Sequence, residues 1–79
     1  MKAIVKVMPK PGVLDPEGKA IAQALGHLGF TGLGEVRAGR LIELELTVPD
    51  ARTAHETART MAEKLLANPV IESYSVEIA

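Results

Sequence analysis

Cysteine is absent from this chain of 79 residues. Its absence excludes disulfide bonds, iron–sulfur clusters, thiolate zinc sites and a cysteine nucleophile. The two histidines, His27 and His55, are far apart in the sequence, and neither has a second ligand at metal-binding spacing. We therefore expect no metal site, and we expect both histidines to be ordinary surface or helix-end residues.

A strong excess of charge is also lacking, since the formal net charge is −1. Nothing in this balance attracts a polyanion, so nucleic acid is not expected as a partner. No apolar run approaches the ~20 residues of a membrane span. The alternating start, Met1–Val7, lacks the continuous apolar core of a signal peptide. We expect a soluble cytoplasmic protein with no membrane partner.

The small size of the chain points to self-association. A domain of this length buries only ~60–65% of the surface that its unfolded chain exposes. Small domains compensate with disulfides, a metal or oligomerisation. Because the first two are not expected here, we expect a homo-oligomer, either a dimer or a tetramer.

The first third of the chain predicts a strand followed by a helix. Residues 2–8 are rich in β-branched side chains and end at Pro9. Asp15 is a typical N-cap and Pro16 a typical first-turn residue of a helix. Spacings of three and four then define an amphipathic stripe: Ala20, Ile21, Ala24, Leu25 and Leu28.

The middle of the chain predicts a β-hairpin. Apolar residues alternate with polar ones along 40–48, which is typical of a strand with one buried face. Gly39 is a natural turn residue, so we expect antiparallel strands over 33–38 and 40–48.

The last third predicts a second helix and a final strand. Asp50 is its expected cap, and Asn68-Pro69 its expected end. Its expected buried stripe is Ala54, Ala58, Met61, Ala62 and Leu65. A strand follows over Val70–Ile78. The order β-α-β-β-α-β predicts one α+β domain over residues 1–79, the ferredoxin-like sandwich with a four-stranded antiparallel sheet and two helices on one face.

The opposite face of this sheet is expected to carry mixed charges and a few large apolar side chains. Lys2 and Lys6 are expected to lie beside Glu43 and Glu45 on adjacent strands. The face is interpreted either as solvated or as an oligomer interface, because grouped apolar side chains are unfavourable in water. The candidates for such an interface are Ile4, Met8, Leu41 and Ile71.

No catalytic or cofactor-binding constellation is present in the sequence. RNA-binding domains of this fold need aromatic residues on central strands, whereas Phe30 and Tyr74 are the only aromatic residues and neither is expected there. Metal-carrying versions need paired cysteines. Ligand-sensing modules and assembly subunits remain.

Three stretches, 12–20, 36–44 and 64–72, together resemble the PurS family, the small subunit of three-component phosphoribosylformylglycinamidine synthase. They are Gly-Val-Leu-Asp-Pro-Glu-Gly-Lys-Ala, Val-Arg-Ala-Gly-Arg-Leu-Ile-Glu-Leu and Lys-Leu-Leu-Ala-Asn-Pro-Val-Ile-Glu. The resemblance covers the whole chain.

The resemblance implies a role in purine (IMP) biosynthesis. The family's enzyme converts formylglycinamide ribonucleotide to its amidine, using ATP and Mg together with ammonia from glutamine. It implies that this chain binds no cofactor itself, has no active site, and bridges a PurL-type synthetase subunit and a PurQ-type glutaminase subunit.

Five residues are candidates for the partner interface: Gly12, Gly18, Arg37, Gly39 and Arg40. Gly18 in a first helical turn is unfavourable against alanine, which indicates a contact that needs room. Arg37 and Arg40 flank the expected hairpin turn and should be exposed there.

A second interpretation remains open. Pro11-Gly12-Val13-Leu14 before a helix also resembles the opening of an ACT domain, a ferredoxin-like module that binds amino acids at a dimer interface. In that case the chain is a freestanding sensor, and a free amino acid should raise its melting temperature.

Overall fold

The structure is a computed structural model that describes residues 1–79. Its elements are β1 (Lys2–Pro9), α1 (Pro16–His27), β2 (Arg40–Glu45), α2 (Ala51–Met61) and β3 (Glu72–Ile78), and α2 continues as a π-helical turn over Ala62–Leu66. The strands form one antiparallel sheet in the order β2-β1-β3. The fold is therefore α+β, with the order βαβαβ. None of the helices combines the length and the apolar character that a membrane span needs.

The predicted four-stranded sheet is wrong, because the segment before β2 does not form a strand. Gly39 lacks the positive φ that a tight hairpin turn requires; only Gly12, Gly29 and Gly32 have one. The chain passes Gly39 without reversing and enters β2 directly. The backbone N–H of Ala38 is bound to the Asp15 side chain, and is not part of a ladder.

The core lies between β1 and α2. Ala3, Val5 and Val7 of β1 are fully or almost fully buried, as are Ala58 and Ala62 of the helical layer. Alanine at these helical positions lets the helix axis lie close to the sheet. The helix packs on β1 and β3, and leaves the side of the sheet formed by β2 less covered.

The sheet faces agree with the predicted alternation. Val5 lies opposite Ile42 and Val76 on the face toward α2, whereas Ile4 lies opposite Glu43 on the other face. The expected charge pairing forms in part: the Lys2 amine lies 3.3 Å from the Glu43 carboxylate.

The prediction that both helices pack on one face of the sheet is also wrong, because α1 does not cover the sheet. Gly18 is its only buried residue, and Leu28, directly after the helix, is 75% exposed. The chain measures 50 × 24 × 15 Å, with a radius of gyration of 15.8 Å. A compact domain of this length has a radius of gyration of about 12 Å. Helix α1 therefore projects from the body formed by the sheet and α2.

The predicted stripe of the second helix is right for Ala54, Ala58 and Ala62, and wrong for Met61, which is 39% exposed, and for Leu65. Leu65 is 83% exposed, while Leu66 packs against the core. The reason is the π-helical turn, closed by the Ala67 N–H donating to the Ala62 carbonyl at 2.9 Å. A π-helical turn contains one residue more than an α-helical turn, so it shifts the phase of the stripe.

Candidate docking surface

The base of α1 is joined to the segment before β2 through one carboxylate. Asp15 caps α1 by accepting a hydrogen bond from the Gly18 N–H at 2.9 Å, and its second oxygen accepts one from the Ala38 N–H at 2.7 Å. These bonds from Gly18 and Ala38 lower the pKa of the Asp15 carboxyl below its usual 3.8. We call residues 10–39 the arm. Asp15 joins the two ends of the arm, near the points where the chain leaves the sheet and returns to it.

Two glycines allow close packing at this base. A Cβ at Gly18 would overlap the carbonyl oxygen of Val36, and a Cβ at Gly39 would overlap the carbonyl oxygen of Val7. The room that Gly18 was expected to need is thus used inside the chain. Gly12 differs, since it has φ +83° with nothing near its Cβ position, as expected of a turn residue.

Arg40 joins the starts of two strands and the end of the helical layer. Its guanidinium donates to both carboxylate oxygens of Glu72, at 3.0 and 3.1 Å, and to the Leu66 carbonyl at 2.7 Å. Glu72 also accepts from the Asn68 N–H at 2.8 Å. The bond from Arg40, and then that from Asn68, lowers the pKa of Glu72. Arg40 therefore has a structural role in addition to any partner contact.

The Arg37 side chain has fewer hydrogen-bond partners within the chain than the Arg40 side chain. The residue is half-buried, and its Nη2 atom is buried with no hydrogen-bond partner. A buried guanidinium nitrogen without an acceptor is unfavourable. The buried Nη2 atom cannot meet an acceptor of another chain unless the side chain moves, so a partner contact of Arg37 stays a prediction.

Two shallow grooves flank Asp15. One, of about 370 Å³, lies between the start of the arm and the Arg40–Glu72 pair; the other, of about 290 Å³, lies between α1 and residues 34–36. A third groove, which we call the apolar groove because four of its six lining residues are apolar, has a volume of about 400 Å³. It is lined by Leu44, Thr60, Met61, Lys64, Leu65 and Leu66.

No group of three or more His, Cys, Asp or Glu side chains converges in the structure. His27 ends α1 and His55 lies on α2, and both are exposed. The polar contacts described above are caps and ion pairs that hold elements together.

Comparison with known proteins settles the family. The model of the PurS family, described as phosphoribosylformylglycinamidine (FGAM) synthase, matches residues 2–79. The chain belongs to the PurS family. Among relatives named as the PurS subunit of this synthase, the protein from Mycobacterium leprae is 48% identical over 77 residues, covering 95% of this chain and 91% of the relative. The Synechocystis protein is 47% identical over 74 residues, covering 94% and 74%.

Solved PurS structures share the fold. The crystal structure of PurS from Methanocaldococcus jannaschii matches with a TM-score of 0.84 and 39% identity, covering 96% of this chain and 92% of that one. A chain in the structure of PurLQS from Thermotoga maritima matches with a TM-score of 0.86 and 32% identity, covering 96% and 93%. The arrangement of three strands with a projecting α1 thus agrees with PurS proteins over nearly the full chain.

The structure places three of the four oligomer-face candidates on one face of the sheet and the fourth in a turn. Ile4, Met8 and Leu41 lie on the sheet face away from α2, where Ile4 is half-buried and Leu41 is 57% exposed. Ile71 lies in the turn before β3, where its carbonyl accepts from the Lys10 N–H. Whether any of them contacts another copy stays a prediction.

Sequence reasoning missed two features of this surface. The Arg40–Glu72 pair joins residues 32 positions apart, and no local pattern indicates it. The apolar groove was missed because Met61 and Leu65 were assigned to the core. The Leu65-Leu66 doublet is the one available signal, since an α-helix cannot direct both side chains to the same narrow face.

Proposed function

We propose that this chain is the non-catalytic assembly subunit of FGAM synthase. In this role it associates with itself, as a dimer or tetramer, and with a PurL-type synthetase and a PurQ-type glutaminase, so that ammonia passes between the two enzymes. The family match over residues 2–79 carries the proposal. The PurLQS structure from Thermotoga maritima supports it, because a chain of that assembly shares the fold of this one.

The exposed surface of the chain supports an assembly role. The accessible surface is 5,624 Å². A compact monomer of this mass exposes only about 4,600 Å². The excess of about 1,000 Å² is close to the ~800 Å² that each partner buries in a standard protein interface. Only eight of the 79 residues are buried, and partner contacts would supply the burial that the isolated chain lacks.

The chemistry of ammonia transfer explains why such a subunit is useful. Ammonia formed at one active site must reach the other before it diffuses away or is protonated. Holding the two enzymes in a fixed relative position favours the transfer, as positioning favours any two-step reaction. A small rigid chain can supply interface area for this purpose without reacting groups of its own.

The decisive experiment is reconstitution with the matching synthetase and glutaminase. Amidine formation is measured with glutamine and, separately, with an ammonium salt, each with and without this chain. We expect the glutamine-dependent rate to require the chain and the ammonium-dependent rate not to require it. An equal glutamine-dependent rate without the chain would refute the bridging role.

The ACT-domain interpretation receives no support from the architecture. The interpretation rests on the residues 11–14 before a helix and on a ferredoxin-like fold, whereas the sheet has three strands and α1 lies off it. Thermal unfolding with and without free amino acids tests the interpretation in the same preparation.

A further inference from the structure

We infer that Asp15 is a positioning residue, whose carboxylate caps α1 with one oxygen and fixes the direction of the arm with the other. The positioning role rests on the assembly role proposed above, because a fixed arm is useful to a chain that binds partners. Three observations support it: the different use of the two oxygens, the scarcity of other bonds within the arm, and the space that Gly18 leaves beside one oxygen.

The carboxylate of Asp15 makes one local and one distant hydrogen bond. Its Oδ1 atom accepts from the Gly18 N–H at 2.9 Å, three residues along the chain, which is an ordinary helix cap. Its Oδ2 atom accepts from the Ala38 N–H at 2.7 Å, 23 residues along the chain. Because one acceptor is sufficient for a cap, the second oxygen has a separate role.

Few other contacts hold the arm together. The bond from Ala38 to Asp15 is the only hydrogen bond between the outgoing part of the arm, residues 10–27, and its returning part, residues 31–39. Helix α1 also packs little on the other helices and strands. A bond between segments so far apart in the sequence restricts the whole loop that it closes. The direction of α1 therefore depends on this bond and on the close packing around it.

Gly18 leaves the space that the second bond needs. A Cβ at Gly18 would lie 2.7 Å from the Oδ2 atom of Asp15, the oxygen that binds Ala38. It would also overlap the carbonyl oxygen of Val36, two residues before Ala38. Glycine in a helical turn is unfavourable against alanine, so its presence here indicates that the space is used. The space is used by the contact between the start of α1 and residues 36–38.

An arm that already has a fixed direction makes assembly more favourable. A flexible segment loses conformational entropy when it binds a partner, whereas a segment fixed beforehand loses much less. The bonds from Gly18 and Ala38 lower the pKa of Asp15, so the carboxylate is ionised near pH 7 and both oxygens act as acceptors. Loss of the second bond should therefore weaken assembly and leave the rate of the assembled complex unchanged.

Asp15→Asn separates the two bonds, because asparagine has one acceptor oxygen and an NH2 group that can only donate. Asparagine caps helices as well as aspartate does, so we expect the bond from Gly18 to remain and the bond from Ala38 to be lost. Amide hydrogen exchange of the full chain measures both bonds. We expect the Ala38 N–H to exchange faster by about tenfold or more, as for a lost hydrogen bond to a charged group, and the Gly18 N–H to change little. Asp15→Ala removes both acceptors and should accelerate both exchange rates.

The functional measurement is the chain concentration that gives half of the maximal glutamine-dependent rate in the reconstituted complex. We expect Asp15→Asn to raise this concentration several-fold and to leave the maximal rate unchanged. Asp50→Asn is the matched control, since Asp50 caps α2 by accepting from the Thr53 N–H at 2.8 Å and binds no distant segment. The control should change neither value.

Several results would overturn the positioning role. Unchanged protection of the Ala38 N–H in Asp15→Asn would show that the second bond does not hold the arm. Lost protection at Ala38 with the wild-type half-maximal concentration would show that assembly does not depend on the direction of the arm. Equal effects of Asp15→Asn and Asp50→Asn on that concentration would indicate a general effect of helix capping. A glutamine-dependent rate that does not require the chain would instead refute the bridging role, and the exchange rates would still show whether Asp15 holds the arm.

Discussion

Arg40, the first residue of β2, holds Glu72, the first residue of β3, through two parallel hydrogen bonds. The pair fastens two strands that do not neighbour each other in the sheet, since β1 lies between them. Through the Leu66 carbonyl it also fastens the π-helical turn. The Arg40 side chain is 54% exposed, whereas that of Glu72 is only 16% exposed, so removing the arginine leaves a mostly covered carboxylate without its cation.

The first prediction concerns the pH dependence of this pair. The pKa of Glu72 is lowered by Arg40, so its ionised form stabilises the folded chain. That contribution is present above the ordinary value of 4.5 and is lost as the pH falls through the lowered pKa. We expect Arg40→Ala to lower stability near pH 7 and to lower it less near pH 3. Urea unfolding at fixed protein concentration measures both.

The control for this prediction is Arg52→Ala. Arg52 pairs with Glu56 at 3.4 Å on an exposed helix surface, where such pairs contribute little. The pKa values of Asp15, Asp50 and Glu63 are also lowered, so both variants should keep part of the acid sensitivity. An Arg40→Ala variant with the wild-type stability at both pH values would show that the pair is not important.

The second prediction compares two glycines of α1. Gly18→Ala places a methyl group against the Val36 carbonyl, which cannot move without disturbing the base of the arm. We expect a loss of about 1–3 kcal/mol in the free energy of unfolding. Gly26→Ala meets no atom within 4 Å, so the helix propensity of alanine should make that variant more stable, by up to about 1 kcal/mol. Equal effects from the two changes would contradict the close approach at Gly18.

The third prediction concerns Arg37 as a docking residue. Its buried Nη2 atom has no acceptor within the chain, and we expect the side chain to turn outward to an acceptor of a partner subunit. Arg37→Ala should therefore lower the glutamine-dependent rate of the reconstituted complex and leave the ammonium-dependent rate unchanged. Full glutamine-dependent activity over a titration of this chain would exclude the contact. Testing Arg37 alone is sharper than changing Arg40 with it, because Arg40 also holds the fold.

The fourth prediction concerns the strength of self-association. Leu28→Asp places a charge on the exposed stripe of α1, where burial against another copy would be unfavourable. We expect the variant to dissociate at protein concentrations where the wild type remains associated, as measured by light scattering. Gln23→Asp adds the same charge on the polar face and should not change the association. Dissociation by both variants, or by neither, would contradict a specific role of the stripe.

The sequence predicted much of the fold because the relevant signals are local. Asp15 and Asp50 cap the two helices with their side chains, as expected. The alternation along β1, β2 and β3 placed their side chains on the correct faces. Such signals depend on residues that are close in the sequence, so they hold whatever structure the rest of the chain adopts.

The wrong predictions concern residues whose type fits more than one structural role. The sequence predicts a turn at Gly39, but glycine is equally required where one backbone lies close against another. The stripe of α1 shows that the helix has an apolar face, and it does not show which molecule covers that face. The phase shift at Leu65 depends on a π-helical turn, for which no sequence pattern is evident.

The projecting arm also affects how readily the chain is cleaved by proteases in the cell. Helix α1 is linked to the body by 10–15 on one side and 28–39 on the other, segments without regular structure and mostly exposed. Exposed irregular segments are preferred sites of proteolytic cleavage. We therefore expect an unassembled chain to be degraded first at these two links, so that its abundance follows the supply of whatever covers α1.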